Sequence, residues 1–222
     1  TGDAAVTSAP PWALQVRLLG SVDVVDADGT TVDIERAKTL ELLAWMTTHR
    51  DRATRGRARA ALWELDVRDA TFANVVSDAR RRLAKHVAPP DGDEWVRRTL
   101  TDALELNDGV VTDVDVVEAA VAAARDRPPA EVVEILRPAV ELVRGMPFSD
   151  TSYLWADAEG ITSNLVLLAT SVVADYARSS AATAVQVSWL WSLGHPEGQV
   201  DDEELRTGMW SARPETMRAT LE

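Results

Sequence analysis

Apolar residues recur at every second position from Leu14. Leu14, Val16 and Leu18 alternate with Gln15 and Arg17, and Val22 and Val24 flank Asp23. A period of two predicts half-buried strands. Asp28-Gly29 supplies a two-residue turn before Thr31–Ile34, so a short antiparallel sheet of about three strands is expected. From Glu35 the period lengthens. Leu40, Leu43, Ala44 and Thr47 share one helical face, widened by Leu42, Trp45 and Met46, and this helix should end near His49-Arg50-Asp51. Thr54 suits the N-cap of a second helix, from Arg55 to about Trp63. Asp69 or Thr71 would cap a third, running to about His86 with Phe72, Val75, Val76, Ala79 and Leu83 inward, and Pro89-Pro90 stop it. Two extended pieces, Trp95–Arg98 and Ala103–Leu106, then flank a hairpin tip at Thr99–Asp102.

The remainder reads as helices. Residues 114–125 are rich in Ala and Val, and Pro128-Pro129 fit the first turn of a helix reaching about Arg144. Gly145-Met146-Pro147 break it. A long helix is expected from Trp155 to Arg178, with Leu165, Leu168, Val172 and Tyr176 in one stripe. Three more follow at Ala181–Leu193, Asp201–Ala212 and Pro214–Leu221. Each stripe is too narrow to fold alone, so neighbouring helices must stack in pairs. Residues 1–11 are small and polar and read as a linker or cloning remnant, and the start on Thr1 suggests a piece of something longer.

Composition excludes several functions. The 222 residues contain no cysteine, which removes disulfides, thiolate metal sites and a cysteine nucleophile. No apolar run reaches the roughly 18–20 residues of a membrane span. The formal net charge of −13 argues against a chain that coats DNA along its whole surface. Residues 35–85 are the exception: they carry twelve Lys and Arg against seven acids, a balance of +5 inside an acidic chain. His49, His86 and His195 are far apart and sit near predicted helix ends, where they read as ordinary polar termini. Asp26-Ala27-Asp28-Gly29 begins like a calcium loop but lacks the later ligands, and Asp201–Glu204 suit a helix N-terminus better than a metal. The eight tryptophans, among them Trp45, Trp63, Trp155, Trp189, Trp191 and Trp210, read as packing residues. There is no phosphate loop, dinucleotide fingerprint or nucleophile elbow. The expectation is a non-enzyme without cofactor, metal or small-molecule substrate.

Sheet, three helices and hairpin form the order of a winged helix-turn-helix. The strings LQVRLLGSVDVVDADGTTVDI, RAKTLELLAWMTTHRD, ALW and TFANVVSDARRRLA resemble the DNA-binding half of the actinobacterial antibiotic-regulatory transcriptional activators. VVTDVDVVEAAVAAA and RGMPFSDTSYLWADAEGITSNL resemble the second half of the same family, and the match covers about residues 13–195. The resemblance implies an α+β OmpR-like winged helix over 12–109, followed over 110–222 by an all-α bacterial transcriptional activator domain of tetratricopeptide-like helix pairs. It also implies a cytoplasmic regulator that binds double-stranded DNA and whose helical domain either contacts RNA polymerase or another protein or holds a homodimer.

In such a domain the third helix enters the major groove and basic residues around it hold phosphates. The candidate phosphate contacts are Arg55 and Arg57 on the second helix, Arg80 and Arg81 on the third, and Arg97 and Arg98 in the wing. Six contacts would give a slope of about −5 in log affinity against log salt. Asn74 is the candidate base reader, suited to adenine. The same face is expected to offer Ala73, Val75 and Asp78, with Asp78 either accepting from a cytosine amine or, the favoured reading, repelling phosphate, and the wing lacks the Gly-Tyr that relatives often carry. A second reading follows from SYLWADAEG and VVSDARR, which resemble the domain pair ending large actinobacterial proteins with membrane spans and lysin motifs. It implies a protein-interaction module that has lost DNA binding, carried by a membrane-anchored protein.

Overall fold

The computed structural model describes residues 12–194, with side chains described through Ala184. In chain order the elements are β1 (Leu14–Arg17), β2 (Asp23–Asp26), α1 (Ala37–Thr48), α2 (Arg55–Leu62) and α3 (Asp69–His86). They continue with β3 (Val96–Arg97), β4 (Glu105–Leu106), β5 (Val110–Thr112), α4 (Asp113–Ala124), α5 (Pro129–Glu141), α6 (Leu154–Ala158) and α7 (Ile161–Gly194). The expectations for residues 1–11, for His195 and Trp210, for Asp201–Glu204 and for the last two helices lie outside the described residues. So do those for the side chains of Trp189 and Trp191.

β1 and β2 pair antiparallel from Leu14↔Asp26 to Arg17↔Asp23. The turn beyond β2 is held by the Asp26 carboxylate, which accepts the N–H of Asp28 at 3.0 Å and of Thr30 at 2.8 Å. Gly29 adopts φ +80°, a left-handed conformation that glycine enters without steric cost. The expected third strand at Thr31–Ile34 is not one. Thr31 makes a single bridge to Val25, Val32 donates once to Val24, and the chain then turns into α1. The third strand is β5, parallel to β1 from Leu14↔Val110 to Val16↔Thr112. β1 is therefore central, which is why Gln15 is buried along with its apolar neighbours.

One compact unit runs to Val116 and resumes over Leu142–Leu168. Its core gathers Leu14, Val16, Leu18, Leu19, Leu42, Trp45, Leu83 and Val96. His49 is buried rather than a solvated helix end. Its ring stacks on Trp45 with centroids 4.4 Å apart, meets Trp155 edge-on at 5.7 Å, and sets Nε2 3.0 Å from Glu159 Oε2. At the far end of α3, His86 Nε2 lies 2.9 Å from Asp26 Oδ2 and ties the helix to the turn. Beyond β1, the backbone N–H groups of Leu18 and Leu19 donate to the fully buried Asp113 carboxylate at 2.8–3.0 Å. The carbonyls of the same two residues accept from Phe148 at 3.0 Å and Arg144 at 2.8 Å. Gly20 admits this crossing: it sits at φ +147°, and a Cβ there would lie 2.9 Å from Arg144 Cβ.

The second unit comprises Val117–Glu141 and the chain from Ala169. Its described buried residues are Val117, Leu136, Ala139, Ala169 and Val172. The expected long helix from Trp155 is divided, because Gly160 at φ +72° ends α6 before α7 starts. The expected break near Ser179-Ser180 is absent: no glycine or proline interrupts the stretch, and α7 runs on to Gly194. Among the described residues, no helix is long and apolar enough to cross a membrane.

Candidate nucleic-acid interface

α1, α2 and α3 followed by the β3–β4 hairpin reproduce the order expected of a winged helix-turn-helix. The Thr54 hydroxyl caps α2, accepting the Arg57 N–H at 3.2 Å. Neither Asp69 nor Thr71 caps α3. Arg68 occupies that position, and Asp69 in the first turn pairs with Arg59 instead. The apolar face of α3 buries Phe72, Val75, Val76, Ala79 and Leu83. The opposite ridge exposes Thr71, Asn74, Ser77, Arg81 and Lys85.

Two residues expected on the exposed face belong to the buried one. Val75 packs inward, and Asp78 is only 5% exposed. The Asp78 Oδ2 accepts the Thr39 hydroxyl of α1 at 2.8 Å, while Oδ1 accepts from Arg81 and lies 3.7 Å from Arg82 Nε. Burial alone would raise the Asp78 pKa, but the bonds from Thr39 and Arg81, with the charges of Arg81 and Arg36, hold it below the ordinary value. It stays ionised as an internal anchor. Ala73 and Asn74 are exposed as expected.

The candidate arginines divide by what they hold. Arg80 turns toward the wing: Nε donates to the Val96 carbonyl at 2.6 Å, Nη2 to the Arg97 carbonyl at 3.1 Å, and Glu94 lies 3.6 Å away. Its pKa is lowered, first by burial and then by the positive charges of Arg98 and Arg55. Arg80 thus braces β3 against α3. Arg97 pairs with Asp93 at 2.9 Å, and the 75% exposed Arg98 pairs with Glu94. Arg55 and Arg57 make no side-chain ion pair among the described residues. Their helix start is sewn to the wing, where Arg55 N–H donates to the Asp102 carbonyl at 2.8 Å and Gly56 N–H to its carboxylate at 3.3 Å. A cleft of about 370 Å³ opens between α3 and the wing, lined by Ser77, Arg80, Arg81, Trp95 and Arg98, with Asp93 and Glu94 on the wing side.

Lys85 was not among the sequence candidates, although its i+4 spacing from Arg81 places it on the same ridge. Asp93 is the other omission. Hydrogen bonds from Arg97 and the Glu94 N–H, with a 2.7 Å bond from Asn107, hold its carboxyl at about 2. A depressed carboxyl contributes its bonds above the ordinary value and loses them as pH falls toward about 2. The Asn107 side-chain amide should accordingly shift in NMR spectra between pH 4 and pH 2, before the helices unfold. An amide that does not move in that window would mean Asp93 does not anchor the wing.

No protein-family model matches the chain, and no curated protein matches it. Among solved structures, the chain is similar to Mycobacterium tuberculosis EmbR in complex with a low-affinity phosphopeptide, with a TM-score of 0.57 and 22% identity. The likeness covers 90% of this chain and 54% of the EmbR chain, so the chain spans about half of its neighbour. At that identity the likeness is one of fold: a small sheet with many helices.

Proposed function

We propose that the chain is a DNA-binding transcriptional regulator of the antibiotic-regulatory activator type. In this reading residues 12–109 engage double-stranded DNA in the cytoplasm. Residues 110–222 form the activator domain, which meets RNA polymerase, another protein or a second copy of the chain. One observation carries the reading. α3 presents a polar ridge of Thr71, Asn74, Ser77, Arg81 and Lys85, and among the described residues Arg55 and Arg57 at the start of α2 make no ion pair. A helix with one face seated on α1 and the other polar and exposed has the form needed to enter a major groove.

A second reading, a protein-interaction module without DNA binding, draws on the wing. There Asp93 and Glu94 neutralise the two arginines that would otherwise meet phosphates. Binding to a labelled random-sequence duplex at low salt separates the two. A regulator should bind with a dissociation constant in the micromolar range or tighter, and Arg55→Ala/Arg57→Ala should weaken it several-fold. No anisotropy change at about 50 mM salt would leave the interaction module.

A further inference from the structure

Arg81 and Arg98 are both exposed and paired, but the partner of Arg81 is buried, whereas the partner of Arg98 is partly exposed. The Arg81 side chain is 69% exposed, yet Nη2 donates to Asp78 Oδ1. Asp78 cannot swing with it. Its second oxygen is fixed at 2.8 Å by the Thr39 hydroxyl on a different helix, and Arg82 Nε closes the rear at 3.7 Å. One donor of the planar guanidinium is thus committed to a buried anchor, and the rest of the five-donor fork is set in direction.

A phosphate gains little from such fixing, because its oxygens accept over a wide range of angles. A guanine edge gains much. Its O6 and N7 require two coplanar N–H groups arriving together. Arg81 also shares the exposed ridge with Ser77, four residues before it, and Asn74, seven before it. Seven residues of helix rise about 10 Å, the height of about three base pairs.

We infer that Arg81 reads a guanine in the major groove, and that Asp78 is the positioning residue that aims it. The preferred duplex then carries a guanine about three base pairs from the adenine met by Asn74. This deepens the DNA-binding reading and rests on it.

Selection of duplexes from a random library by the intact chain, followed by affinity measurements, tests it. The selected sites should contain a fixed guanine whose replacement by adenine weakens binding about 5- to 150-fold. Arg81→Lys keeps the charge and should retain random-duplex binding while losing that preference. Asp78→Asn removes a negative charge, so random-duplex affinity should hold or rise while the guanine preference shrinks. If Asp78→Asn melts early, Thr39→Val removes the same anchor and should shrink the preference alike. Selected sites without a fixed guanine, or an Arg81→Lys loss equal on all duplexes, would overturn the inference and leave DNA binding standing. A preference intact in Asp78→Asn would overturn the positioning role. No binding to any duplex would overturn both inference and regulator.

Discussion

Raising salt from 50 to 200 mM should weaken duplex binding by this chain about 150-fold, corresponding to a log–log slope of about −3.6. Six phosphate contacts would have given about −5, and the difference is a count of free cations. Arg80 is engaged with the Val96 and Arg97 carbonyls, Arg97 with Asp93, and Arg81 with Asp78. Among the described residues Arg55, Arg57 and Lys85 make no ion pair, and Arg98 can exchange Glu94 for a phosphate because an exposed pair of this kind holds weakly. Four contacts, each releasing about 0.9 of a counterion, give the expected slope. Anisotropy titrations at five or six salt concentrations measure it directly. Arg57→Ala should flatten the slope by about one unit, whereas Arg80→Ala should loosen the wing with a smaller change in slope. A slope near zero would contradict the whole interface.

The second large effect is on stability. Burial raises the Asp113 carboxyl to about 6, against the opposing bonds from the Leu18, Leu19 and Val114 N–H groups and the charge of Arg144. A carboxyl raised above its unfolded value binds a proton in the folded state that the unfolded chain has already lost. Its contribution is therefore complete below pH 4 and falls away as pH rises through about 6. The two values correspond to about 3 kcal/mol. Asp26, Asp78 and Asp93 run the other way, since each is held below the ordinary carboxylate value and stabilises the fold only once ionised. Stability should therefore peak near pH 4–5 and decline toward neutrality. Urea unfolding from pH 3 to pH 8 checks this. Asp113→Asn should be less stable throughout, because its amide nitrogen cannot accept from a backbone N–H, but the decline between pH 4 and pH 7 should vanish. A wild-type chain whose stability is flat over that range would show that Asp113 is ionised at no cost.

The helices α1, α2 and α3 and the wing were legible because each displays its period over a contiguous stretch. Phe72, Val75, Val76, Ala79 and Leu83 alone place the buried side of α3. That same period puts position 78 on the flank of the apolar face, three residues after Val75. Its negative charge argued for solvent, and only the Thr39 hydroxyl on another helix reverses that. Arg80 is the parallel case, since its partners are backbone carbonyls that no side-chain pattern advertises. The third strand was hidden for a different reason. Thr31–Ile34 has the local character of a strand, whereas Val110–Thr112 wins the place through its register beside residues far back in the chain. Such pairings depend on topology, and a window of neighbouring residues does not contain it.

The parallel pairing of β5 with β1 also governs how the chain is made and cut. At synthesis, Leu14–Arg17 must wait for nearly a hundred residues before its second flank emerges, and until then it has one open edge. A fragment ending after β4 would make that wait permanent, leaving an unpaired edge on β1 free to pair with its own copies. The N-terminal part, cut at the border its helices and wing suggest, would thus lose solubility before it lost any residue of α3.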